Sequence, residues 1–193
     1  MKKDADLNRS TLKVRTLEVT TIYLQMMWPP PAGQETPPPP REDLHILRAD
    51  KIPVRFYRYL YDSVGAPWLW YERRLLGDEQ LIAIVHDPDV EVHVLYAGGV
   101  PAGYAELDRR APGQVELAYF GLMPEFIGQR LGPYLLHWAI KRAWVPGPDR
   151  VWVHTCTLDH PRALETYISA GFHEYKRETT HIPDPRSIMD DPD

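Results

Sequence analysis

The stretch Val115–Trp144 constrains the fold more than any other part of the chain, because the spacing of its apolar residues changes midway. Val115, Leu117 and Tyr119 alternate with Glu116, Ala118 and Phe120, which is the period of a strand. Pro124 has no N–H to donate and ends that strand. Gly128 and Gly132 bracket a turn. From Leu131 onward the spacing becomes helical: Leu131, Tyr134, Leu135, Trp138 and Ala139 fall on one face, and Leu136, Ile140 and Ala143 form a second stripe. The helix is therefore expected to be buried on two sides, with Pro133 in its first turn, where a missing N–H costs little. A strand that passes through a glycine turn into a helix N-terminus presents free N–H groups and the positive end of the helix dipole to an anion. The same two glycines also suit an ordinary turn. Taken alone, this stretch leaves both readings open.

A second stretch is built in the same way. Val151–Thr155 reads as a short strand, and residues 159–172 read as a capped helix leading into another strand. Pro161 suits the first helical position, with Asp159 or His160 as the cap. Ala163, Leu164, Tyr167 and Ile168 form the buried stripe, and Gly171 ends the helix in the left-handed conformation. Together the two stretches resemble the GNAT superfamily of acetyl-CoA-dependent N-acetyltransferases. The family's phosphate loop, Gln/Arg-x-x-Gly-x-Gly/Ala, corresponds here to Ile127, Gly128, Gln129, Arg130, Leu131 and Gly132. The last glycine matches; Ile127 stands at the usual Gln or Arg, and Arg130 at the usual first glycine. The second signature, Asn-x-x-Ala-x-x-x-Tyr and then Gly-Phe, corresponds to His160, Ala163, Tyr167, Gly171 and Phe172, with histidine in place of asparagine. The resemblance covers about Val90 to Glu178, close to half of the chain.

The resemblance implies an α/β (α+β) fold: a mixed, mostly antiparallel sheet of about six to seven strands with helices on both faces. It also implies acetyl-CoA as co-substrate and a primary amine, on a small molecule or a peptide or protein, as acceptor. The pantetheine arm would pair with Phe120, Gly121 and Leu122, with Gly121 permitting a bulge. Residues Ile127, Gly128, Gln129, Arg130, Leu131 and Gly132 would meet the pyrophosphate, largely through backbone amides. Arg130 would add a charge-assisted contact; the alternatives are that it is solvated or that its bulk obstructs the site. His160, Ala163 and Tyr167 would border the coenzyme. Glu116, eleven residues before Ile127, matches a strand glutamate that some members use as general base. A surface glutamate is the competing reading, and His154 and His160 are alternative bases. Tyr167 would protonate the departing thiolate, unless it only packs. A non-catalytic acyl-CoA-binding sensor or regulatory module on the same scaffold is the rival to an enzyme.

The remaining sequence sets the frame. At 193 residues the chain can bury one real core. The expected organisation is a flexible N-terminus over 1–15, one acyltransferase domain over 16–181, and an irregular acidic tail over 182–193. A net charge of −5 provides no basic footprint for nucleic acid and favours cationic over anionic substrates. Cys156 is the one cysteine, so no intrachain disulfide forms and no oxidising compartment is implied. Residues 1–10 lack the apolar core of a signal peptide, and no apolar run is long enough to span a bilayer; a cytoplasmic protein, monomer or homodimer, is expected. The eight histidines show no metal-ligand spacing, so no metal is expected. Thr16–Trp28 reads as a strand. Pro29–Pro40 holds seven prolines and reads as a stiff connector or a docking motif, the latter leaving an interaction domain as a third functional reading. Leu44–Leu47 is expected in or beside the sheet. A helix capped by Asp50 carries the stripe Val54, Tyr57, Leu60 and Tyr61, and a second is capped by Asp78. Val90–Tyr96, the Ala97-Gly-Gly turn and Pro101–Asp108 form a hairpin that feeds the Val115 strand. After Phe172, residues 173–181 close the sheet. The aromatic run from Tyr57 to Tyr71 packs in the core or, in the resembled family, walls an acceptor groove suited to an apolar or cationic group.

Overall fold

The computed structural model describes residues 15–31 and 38–189. The expectations for residues 1–14, for the middle of the proline run and for residues 190–193 lie outside the described residues. Among the described residues seven strands make one sheet: β1 (Thr16–Met26), β2 (Leu44–Arg48), β3 (Val90–Ala97), β4 (Val100–Asp108), β5 (Gln114–Leu122), β6 (Arg150–Cys156) and β7 (His173–Pro183). Their order across the sheet is β2-β3-β4-β5-β6-β1-β7. Every neighbouring pair is antiparallel except β5 and β6. That parallel pair needs a crossover, which the helix α3 (Leu131–Trp144) provides.

Helices cover both faces, as expected. On one face α3 buries Leu131, Leu135, Leu136, Ala139, Ile140 and Ala143 against β4, β5 and β6, beside Tyr167 of α4 (Ala163–Ser169) and Phe172. On the other face α1 (Val54–Gly65) and α2 (Asp78–Val85) bury Tyr57, Leu60, Tyr61, Val64, Leu81 and Val85 against β3 and β4. Both stripes of α3 are in the core, so its two-sided burial follows its sequence. β1 lies in the interior of the sheet: it pairs with β6 from Thr21↔Cys156 to Met26↔Val151, and with β7 from Thr16↔Pro183 to Gln25↔His173. The closing strand β7 is therefore the sheet edge, separated from β6 by β1.

Several local expectations are corrected. Pro53, whose fixed φ suits that place, is the N-cap of α1, and Asp50 instead pairs with Arg48 at 2.8 Å. Gly77, not Asp78, is the N-cap of α2; the Gln80 side chain accepts the Gly77 N–H at 3.0 Å, and Asp78 accepts from Arg58 at 2.8 Å. The bulge in β5 falls at Ala118, between the pairs Leu107↔Leu117 and Glu106↔Tyr119, rather than at Gly121. Gly121 serves packing: a Cβ there would sit 2.4 Å from Val64 Cγ1, so its absence lets α1 lie against β5. The tail is ordered further than expected. β7 runs through Pro183 because Thr16 of β1 still pairs with it, and α5 (Arg186–Met189) follows. Buried Asp184 holds that end, receiving the Arg186 guanidinium at 2.7 and 2.8 Å.

Candidate active site

The strands β5 and β6 pair at Gln114↔Arg150, Val115↔Val151 and Glu116↔Trp152, and then part. The bulge at Ala118 adds twist at the point of parting. Beyond it β5 is bonded to β4 alone, and its other edge faces a cleft of about 570 Å³. Phe120, Gly121 and Leu122 line this cleft. The turn before α3 closes one end, where Ile127, Gly128, Arg130 and Gly132 line it. Arg130 is the N-cap of α3 and adopts the left-handed conformation, φ 62°. Glycine is usual at this place in the motif because only glycine takes that conformation without cost. Gln129 and Leu131 do not reach the cleft: the Gln129 amide donates to the Glu125 carbonyl at 2.9 Å, and Leu131 is fully buried in the core.

The α4 helix contributes Ala163 and Tyr167. Tyr167 packs between Phe120 and Phe172, with ring centroids 6.1 and 6.0 Å away. Burial, and then the charge of Asp159, push its phenol well up, so it stays protonated at neutral pH. Arg162 is the N-cap of α4, one residue beyond Pro161. His160 lines the cleft against Trp68, and its Nδ1 accepts the Arg162 N–H at 3.1 Å. Asp159, expected as a possible cap, instead turns inward: it accepts from Thr155 Oγ1 at 2.8 Å, from the Cys156 N–H at 2.9 Å and from Trp70 Nε1 at 3.3 Å. It thereby joins the end of β6 to the aromatic wall.

Glu116 is not in the cleft lining. Its carboxylate lies in a shallow hollow with Asp108, Arg110 and Trp152, and one oxygen is 3.4 Å from Nδ1 of His154. His154 does line the cleft. The carboxylate of Glu116 raises the His154 pKa above its ordinary value against the opposing effect of burial, and Asp159 and Glu72 add to the rise. Burial pushes the Cys156 thiol up to about 11, so it is an un-ionised thiol at neutral pH and a poor nucleophile.

Trp68, Trp70, Tyr71 and Tyr119 form the remaining wall, with Glu72 among them. Tyr61 donates to Glu72 at 3.2 Å from behind this wall. The inward turn of Asp159, and Glu72 and Arg162 as lining residues, were not legible in the sequence. Glu72 sits in the charged run Glu72-Arg73-Arg74, where no motif or spacing marks it. The site can thus hold an extended arm along the open edge of β5, an anion at the start of α3, and a basic nitrogen near His154. Among the described residues no group of His, Cys, Asp and Glu is placed to hold a metal ion, and no helix is long and apolar enough to cross a membrane.

Comparison with known proteins bears on this geometry. The sequence profile described as the acetyltransferase (GNAT) family matches residues 53–172. A mycothiol acetyltransferase of Salinispora arenicola is 33% identical over 98 residues, which is 49% of this chain and 30% of that protein. Among solved structures, a GCN5-related N-acetyltransferase from Sphaerobacter thermophilus superposes with a TM-score of 0.59 at 17% identity, over 85% of this chain and 50% of its own. Another from Kribbella flavida gives 0.59 at 18% identity, over 88% and 60%. At these identities the structural likeness is one of fold. The chain spans about a third of the curated relative and half or somewhat more of these two structures.

Proposed function

The chain belongs to the acetyltransferase (GNAT) family, and from that premise we propose that it transfers an acetyl group from acetyl-CoA to a primary amine. The observation that carries this reading is the parting of β5 and β6 into a cleft that ends at the N-terminus of α3. The open edge of β5 from Ala118 to Leu122 offers backbone hydrogen bonds to the pantetheine arm, as an added strand would. The first amides of α3 and the Arg130 guanidinium receive the pyrophosphate. This holds the thioester beside His154 and Tyr167, and so supplies the positioning on which most of the rate depends.

The acceptor enters as an ammonium and must lose a proton before it can attack. His154 takes that proton, and Glu116, placed behind it, orients the ring and stabilises the imidazolium. The neutral nitrogen attacks the thioester carbonyl, the C–N bond forms, and the C–S bond breaks. The departing thiolate takes the phenolic proton of Tyr167, and the surplus proton on nitrogen restores it. In this scheme Glu116 acts through His154 rather than on the substrate.

Two measurements test the proposal. Acetyl-CoA should raise the melting temperature steadily with the logarithm of its free concentration, because it binds the folded state alone. Thiol release from acetyl-CoA should depend on an added amine. Absence of any melting shift at millimolar acetyl-CoA would overturn the coenzyme assignment. A shift without thiol release from a broad amine panel would leave a non-catalytic acyl-CoA-binding module.

A further inference from the structure

The cleft lining carries charges of both signs. Arg130 and Arg162 are the arginines among its described lining residues, and they stand at the N-termini of α3 and α4. The lining carboxylates are Glu72 and Asp159. Asp159 is already committed to three donors, the Thr155 hydroxyl, the Cys156 amide and the Trp70 indole. Glu72 is exposed to the cleft, and among the described residues its one hydrogen bond is from the Tyr61 phenol. Arg74, two residues on, pairs with Asp62 at 2.8 Å. Arg73, next to Glu72 in sequence, does not compensate it: that guanidinium is turned into the core, 2.6 Å from fully buried Glu106 and 5.1 Å from the Tyr119 ring centroid. Trp70, Tyr71 and Tyr119 line the same cleft as Glu72. Aromatic faces attract cations, most strongly where water is partly excluded.

We infer that the acceptor is a dication: an amine that carries, a few bonds from the attacking nitrogen, a second cationic group held by Glu72 against the Trp70–Tyr71–Tyr119 wall. The inference rests on the acetyl-transfer reading above and adds the substrate class. The attacking nitrogen must be neutral when it reacts, so a monoamine brings no charge to Glu72 in the reactive complex. A second cation keeps its charge throughout. Its contact with Glu72 is equal in the ground state and the transition state, and it therefore acts mainly on KM. Charge also orients the substrates, with coenzyme phosphates drawn to Arg130 and the retained cation to Glu72.

The test compares α,ω-diaminoalkanes of about three to six carbons with the amino alcohols of matching length. Steady-state acetylation is followed in the wild-type protein and in Glu72→Gln. The wild type should favour the best diamine by about 10-fold or more in kcat/KM, chiefly through KM. In Glu72→Gln the preference should shrink toward the twofold statistical advantage of two equivalent amines. Salt should erode the preference in the wild type, since the contact is solvent-accessible. Equal kcat/KM for diamine and amino alcohol at every length, or a preference that Glu72→Gln leaves intact, would overturn the dication while leaving acetyl transfer standing. If no amine releases thiol, calorimetric titration of the CoA-loaded protein with the same diamines decides. Binding weakened in Glu72→Gln supports the cation site and overturns acetyl transfer; absence of binding overturns both.

Discussion

His154 and Glu116 form a pair whose protonation state can be followed by rate. The Glu116 carboxylate raises the His154 pKa above 6.5, and in the proposed scheme the histidine must be neutral to act. Turnover should therefore rise with pH through a midpoint above 6.5. In Glu116→Gln that midpoint should fall toward 6.5 and the plateau should drop by about 10-fold; in His154→Asn the plateau should drop by about 10²-fold or more. An acid limb unmoved by Glu116→Gln in the kcat/KM profile would detach Glu116 from the histidine. The linkage has a definite sign: a raised histidine pKa stabilises the fold fully below the unfolded value of 6.5, and this is lost as pH rises through the folded value. The pair is thus most stable with His154 protonated, the form that the proposed scheme does not use. Tyr167 is tested by Tyr167→Phe, which keeps the ring packed between Phe120 and Phe172. Turnover should fall by about 10²-fold with melting temperature and acetyl-CoA affinity near wild type, within the range for a general acid. A variant neutral in all three assays would make Tyr167 a packing residue. The reach of sequence reading differs among these residues. Tyr167 was found through its motif spacing, whereas the placing of Glu116 behind His154 depends on the register Glu116↔Trp152 between strands far apart in the chain.

Among the elements, α3 is fastened to the sheet at its C-terminal end by a buried charge cluster as well as by its apolar stripes. Glu91 of β3, with a side chain 8% exposed, receives Arg142 of α3 twice at 2.8 Å. It also contacts His93 at 2.8 Å, Arg109 at 3.2 Å and Arg48 of β2 at 3.4 Å. Burial pushes the Glu91 carboxyl up, but the bonds from Arg142 and His93 and the charges of Arg109 and Arg142 outweigh it and hold the pKa down to about 2. A depressed carboxylate stabilises the fold above its unfolded pKa of about 4.5, and that contribution is lost as pH falls toward 2. The shift corresponds to about 3 kcal/mol as an upper figure. Glu91→Gln should lose about 3 kcal/mol at neutral pH, as when one partner of a buried pair is removed. It should also flatten the loss of stability between pH 4.5 and 2. Urea unfolding of both proteins across that range checks both effects, and a variant as acid-sensitive as wild type would show that other carboxylates control acid unfolding. The strand period of Val90–Tyr96 is plain in the sequence, but the period alone does not say whether the face with Glu91 and His93 is covered. Only the packing of α3 over that face makes them interior.

For the whole molecule, the position of β1 matters most. Placed between β6 and β7, it gives β7 its partner and covers the edge of β6. Val19, Ile22, Leu24 and Met26 send their side chains into the interior from this strand, and Val19 and Thr21 also line the cleft. Deleting residues 1–26 should therefore abolish cooperative thermal unfolding and acetyl-CoA-dependent stabilisation together. Cooperative melting of the truncated protein, followed by near-ultraviolet circular dichroism, would show that the remaining strands close the sheet unaided. The sequence by itself determined what depends on near neighbours in the chain: the strand–turn–helix of Val115–Trp144, the two apolar stripes of α3, the β3–β4 hairpin and the family resemblance of the loop and the Tyr167 helix. Periodicity, proline and glycine act over a few residues, so their consequences can be read locally. Tertiary structure alone decided which strand stands beside β6, where β5 and β6 part, which carboxylate backs His154, and that Glu72 faces the cleft while Arg73 faces the core. These depend on pairings between distant segments and on the way in which each side chain's charge is compensated, and no local pattern in the chain encodes either one.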